Sequence, residues 1–190
     1  MKTTMNLTLK TSLAVAVLAG GLAINSFAGP GSGEVDFGKF APTGKGAKFV
    51  EVNVKGTLLS LAAKLVEEDE PEAAKLLRSV HLVRVNVVGL DDKNRDGLEK
   101  RIEEIRAHLD KSGWERIVAA QEQGSGDVGV YIKTRGDEAI VGLVVTVVDG
   151  NKKEAVFVNI VGDIRPDQIA AVGKALDIDP LKKAGESLKK

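Results

Sequence analysis

The chain has 190 residues, 43% hydrophobic and 28% charged, the balance of one globular domain with a real core and not of a disordered segment. Its 27 basic and 27 acidic side chains cancel. Two of the positives, Lys2 and Lys10, fall in a leader, so the remainder is slightly acidic and lacks the basic footprint of a nucleic-acid binder. The absence of cysteine excludes disulfides, thiolate zinc sites and the anchoring cysteine of a bacterial lipoprotein.

Residues 1–28 read as a cleavable secretory signal peptide. Met1 to Lys10 is polar with two lysines and no acid, Leu13 to Ile24 is apolar, and Ser26-Phe27-Ala28 places small residues where a signal peptidase cuts. The apolar run is too short to span a bilayer comfortably, and nothing like it recurs, so no membrane span is expected after its removal. The protein is therefore expected to be exported, periplasmic or secreted, and not a lipoprotein. Residues 29–46 form a flexible Gly/Pro-rich lead-in whose Phe37 and Phe40 can dock onto the domain. Residues 47–180 make a single domain, and 181–190 a Lys-rich tail.

Phe49 to Val54 alternates and reads as a strand. Thr57 is placed to cap a helix whose Leu58, Leu61, Ala62 and Leu65 fall on one stripe, and the acidic run Glu67 to Glu70 ends it. Pro71 opens a second helical piece through Arg78. His81 to Val88 is a strand. Leu98, Ile102, Ile105 and Leu109 mark a helix closed by Gly113. Four strands follow in succession: Trp114–Glu122, Val128–Thr134, Ala139–Val148 and Glu154–Val161. A last helix begins at Pro166, with Ile169, Val172, Gly173 and Leu176 inward. The pattern predicts an α+β fold: a two-layer sandwich with a mostly antiparallel sheet, a four-strand C-terminal meander and helices on one face. The helix between the first two strands allows them to be parallel neighbours.

Asp92-Lys93-Asn94-Arg95-Asp96-Gly97, with Glu103 further on, fits a calcium-loop pattern of alternating oxygen ligands, a turn glycine and a late carboxylate. A preceding strand, Glu99 at a usually apolar position, and the charges of Lys93, Arg95 and Lys100 speak against it. A polar turn in which Asn94 or Asp96 caps the helix is the favoured reading. Gly124 to Gly129 satisfies a dinucleotide glycine pattern but lies between two strands, where it makes a hairpin. His81 and His108 have no convergent partners, Trp114 reads as core at the sheet's edge, and no serine sits in a nucleophile elbow. No catalytic residue, metal ligand or cofactor is assigned.

The meander carries one more signal. Pairing Gln123 with Asp127, Arg135 with Glu138 and Asp149 with Lys152 fixes the faces, because side chains alternate. One face, with Val118, Val130, Leu143 and Val158 in a row, is wholly apolar and must take the helices. The other carries Tyr131, Val144, Phe157 and Asn159, with Ile117 and Ile140 beside them, and is half apolar. Three readings fit it: the lead-in folds back over it with Phe37 and Phe40, Tyr131 and Phe157 cover neighbouring glycines, or Tyr131, Val144, Phe157 and Asn159 form a surface for a partner or a second copy.

The segment KEAVFVNIVGDIRPDQIAAVGKAL, a strand ending in Val-Gly-Asp-Ile and then a helix, resembles the domain-of-unknown-function family 4252 of exported bacterial proteins. So does the preceding order of leader, strand, Leu-rich helix, Val-rich strand, helix, Gly-Trp and meander, over roughly residues 47–178. The resemblance implies a fold and no activity, cofactor or catalytic residue. The expected function is a non-enzymatic exported module that binds a protein or a cell-envelope component. The rival readings are an exported calcium-binding protein using the Asp92–Glu103 loop, and a hydrolase with unrecognised residues.

Overall fold

The computed structural model describes residues 33–40, 48–122, 126–137, 139–151, 153–165 and 168. The leader, the helix expected from Pro166 apart from Gln168, and the Lys-rich tail lie outside them.

Strands form where apolar residues alternate: β1 (Phe49–Lys55), β2 (Val80–Gly89), β3 (Glu115–Glu122), β4 (Gly126–Arg135), β5 (Ala139–Asp149) and β6 (Glu154–Ile164). They make one six-stranded sheet in the order β1-β2-β6-β5-β4-β3, antiparallel throughout. β1 and β2 pair antiparallel, Phe49 opposite Val88 and Lys55 opposite Leu82, which corrects the parallel pairing considered for them. The connection permits this because two short helices, α1 (Gly56–Val66) and α2 (Pro71–Ser79), turn the chain back at the same end of the sheet. α3 (Arg95–Lys111) joins β2 to β3, and Gly113, at φ +75°, closes it in the left-handed region.

The α+β class, the antiparallel sheet and the four-strand meander are as expected. The single helical face becomes two. Leu98, Ile102, Ile105 and Leu109 of α3 share one core with Tyr131, Val144 and Phe157. Leu59 of α1 and Leu76 and Leu77 of α2 belong to a second core with Val130, Leu143, Val145 and Val158, on the other side of the sheet. The central strands reflect this double burial: β5 reads AIVGLVVTVVD, apolar nearly throughout, as a strand covered on both faces does.

Asp127 pairs with Gln121, Val130 with Val145, and Val145 with Val158, so the strands sit two residues from the expected register, except at the β4–β5 turn, where Arg135 pairs with Ala139, one residue from the expected Glu138, beyond an irregularity at Lys133/Thr134. A shift of two keeps every side chain on its face, because the pleat repeats every two residues. Bulges act differently. Irregularities at Arg116/Val118 and Ile140/Gly142 carry Ile117 and Ile140, expected beside Tyr131, into the opposite core.

Candidate functional site

Tyr131, Val144, Phe157 and Asn159 are brought together on one face, as the alternation requires, and all four are fully buried. Of the three readings of this face, the first holds: the chain's own lead-in folds back over it with Phe37 and Phe40, and α3, expected on the other face, covers the rest, so these four residues are not an open surface for a partner or a second copy. Residues 33–37 run extended over the sheet with Gly33, Val35 and Phe37 buried and Glu34 and Asp36 exposed. Asn159 holds this strap. Its Oδ1 accepts a hydrogen bond from the Val35 amide at 2.9 Å, and its Nδ2 donates to the Gly33 carbonyl at 2.9 Å and the Leu143 carbonyl at 3.2 Å. Arg84 donates to the Val35 carbonyl and pairs with Glu34, and Arg101 donates to the Lys39 carbonyl. The Phe37 and Phe40 rings stand 5.6 Å and 4.6 Å from that of Phe157, and Arg101 lies over Phe40 at 4.5 Å. Two glycines make the approach possible: a Cβ on Gly33 would fall 1.8 Å from the Val141 carbonyl oxygen, and one on Gly142 would fall 2.5 Å from the Trp114 ring.

Besides Arg84 and Arg101, sequence reasoning missed a third arginine on this face. Arg106, one position beyond Ile105 of the apolar stripe, lies over Gly129. It donates through Nε and Nη2 to the buried Thr146 hydroxyl and through Nη1 to Asp127 at 2.7 Å. The available signal was Gly129 directly opposite Thr146, a gap on a strand face that a long side chain from α3 fills. The shallow cleft alongside is lined by Arg95, Glu99, Glu103, Arg106 and Asp127, and its arginines are engaged by these acids and Thr146.

The Asp92 loop is tied up in its own backbone. The Asp91 carboxylate accepts from the Lys93 and Asn94 amides, while the buried Asn94 accepts from the Asp91 amide and donates to the Gly89 carbonyl. Asn94 stands at the N-cap of α3, but its side chain reaches back into the turn and not forward to the helix amides. Among the described residues no group of three or more His, Cys, Asp or Glu is placed to hold a metal ion. His81 is exposed, and His108 meets the Ser112 hydroxyl at 3.2 Å.

What the structure leaves open lies elsewhere. α1 starts at Gly56 with Lys55 at its N-cap and no side-chain cap, so Thr57 does not cap it. Its buried residues are Leu59 and Ala63. Leu58, Leu61 and Leu65, read in sequence as one stripe, do share a stripe, but it faces outward, at 59%, 55% and 78% exposure. At 3.6 residues per turn, the apolar positions of α1 cover an arc of roughly 200°, more than one docked face can bury. Val50 and Val52 of the edge strand β1, at 43% and 39%, complete the set of exposed large hydrophobics among the described residues. Lys55 and Lys64 stand at the two ends of α1, and the acidic run Glu67 to Glu70 follows it, with Glu67 held by Arg78. That contact keeps the Glu67 carboxyl below its ordinary range, the hydrogen bond from Arg78 first and its charge second.

Among the described residues no helix is long and apolar enough to cross a membrane. No curated protein and no solved structure matches the chain. A family model described as a domain of unknown function, DUF4252, matches residues 44–172, from the lead-in to β1 through the end of the described sheet and beyond. The chain belongs to the DUF4252 family of domains of unknown function.

Proposed function

We propose that this chain is an exported, non-enzymatic binding module whose partner is a protein or a cell-envelope component, and that it binds through the outward stripe of α1 and the adjoining edge of β1. The observation that carries this reading is the placement of Leu58, Leu61, Leu65, Val50 and Val52. A chain that buries Tyr131, Phe157 and Trp114 completely or nearly so leaves these five open, all on two consecutive elements. Leu58, Leu61 and Leu65, at i, i+3 and i+7, form a continuous apolar stripe, and exposed apolar surface of this kind marks an interaction site. Export rests on the order of charged, apolar and small residues over 1–28.

A photo-crosslinking residue at position 61 tests the binding surface in the native host. An adduct from position 61, and none from Glu104 on the exposed side of α3, is the expected result; equal yields from both would contradict it. Intact mass tests export. The exported form should begin at Gly29, and a chain that keeps Met1 would refute the leader.

A further inference from the structure

We propose that the partner on the α1 stripe is a second copy of this chain, docked α1 against α1 in antiparallel fashion about a two-fold axis. This rests on the reading that the stripe is the binding surface. An isologous contact needs a patch that complements itself, and α1 has that property in both shape and charge. An axis between Leu61 and Ala62 sets Leu58 against Leu65 of the partner subunit, with the two Leu61 side chains flanking the centre. The same axis sets Lys55, at the start of the helix, against Glu68 of the partner subunit, just past its end. Lys55 and Glu68 are exposed, and neither pairs with another described residue. The helix dipoles of an antiparallel pair also oppose favourably. A parallel pair would bring the two acidic runs, Glu67 to Glu70, side by side. An anionic bilayer would meet that same run and be repelled. α1 is 11 residues long, so the contact is about 16 Å long. The three exposed leucines of each α1 offer a few hundred Å², less than a permanent dimer buries, so the dimer is a weak one that forms with rising concentration.

Analytical ultracentrifugation of the purified protein, from low to several hundred micromolar, tests this. The expected result is a reversible monomer–dimer equilibrium that Leu61→Glu weakens by about tenfold or more. Leu61 is outward, so Trp114 fluorescence should report an unchanged melt for that variant. Lys55→Glu alone and Glu68→Lys alone should each weaken the dimer, and the two together should restore it. A monomer at every concentration overturns the proposal. So does a dimer indifferent to Leu61→Glu, or a double charge reversal that fails to restore association. Flotation of a monomer with phosphatidylglycerol vesicles through Leu61 would name a bilayer as occupant and also overturn it. Crosslinks from position 61 only to a different protein would overturn the dimer while leaving the binding-surface reading standing. No α1 adduct at all would remove both.

Discussion

Tyr131 is the only tyrosine of the chain, and its ring is fully buried under α3. Its hydroxyl meets no hydrogen-bond partner among the described residues. Burial pushes its pKa up, the Asp110 carboxylate adds to the rise, and Arg116 and Arg106 oppose it. The unfolded chain ionises this phenol at the ordinary value of about 10, the folded one only above that. Stability is therefore full below the unfolded value and is lost as pH climbs from there through the raised folded value. Tyrosinate absorbance, which reads Tyr131 alone, should titrate above the ordinary range in the folded protein. Tyr131→Phe should abolish the alkaline loss and be neutral or stabilising by about 1 kcal/mol at neutral pH, since it removes an unpaired buried hydroxyl. Asn159 gives the opposite case. Its amide satisfies one backbone amide and two carbonyls, so Asn159→Ala should cost about 2–4 kcal/mol by chemical denaturation. The same variant should open residues 33–40 to limited proteolysis. The sequence placed Asn159 beside Tyr131 and Phe157 correctly, because alternation is strict. It did not say what Asn159 bonds to, because the strap arrives from residues more than a hundred positions away.

Elements were legible where the period was clean. All six strands and α3 lie within a few residues of where alternation and the Leu98-Ile102-Ile105-Leu109 stripe put them. Orientation was less so. On α1 two apolar arcs compete, Leu59 with Ala63 and Leu58 with Leu61 and Leu65, and periodicity does not rank them. Leu59→Ala should lower stability by about 2–4 kcal/mol, and Leu61→Ala should change the monomer's stability by less than about 0.5 kcal/mol. Equal losses by thermal melt would contradict the helix's orientation. The Asp92 loop shows the limit of a motif. It has the ligand types at the right spacing, but Asn94, the residue that would have to turn toward a cation, spends both ends of its amide on Gly89 and Asp91. Millimolar calcium should leave the melting temperature unchanged. A rise abolished by Asp92→Ala or Glu103→Gln would contradict the turn reading.

At the scale of the whole molecule, the sheet is covered on both faces, and its edges are β1 and β3. The sign of double coverage was present in β5, whose near-continuous apolar run has no solvent face to alternate with. A half-apolar face in such a sheet is core, and Tyr131, Val144, Phe157 and Asn159 lie within it. The open apolar surface moves to the periphery, onto α1 and the edge strand β1. Hydroxyl-radical footprinting compares the protein alone at low concentration with the protein in intact host cells. The expected result is that Leu58, Leu61 and Leu65 are modified in the dilute protein and protected in place, while Tyr131 and Phe157 stay unmodified in both. Leucines equally reactive in both states, or modification of Phe157 in the folded protein, would contradict it.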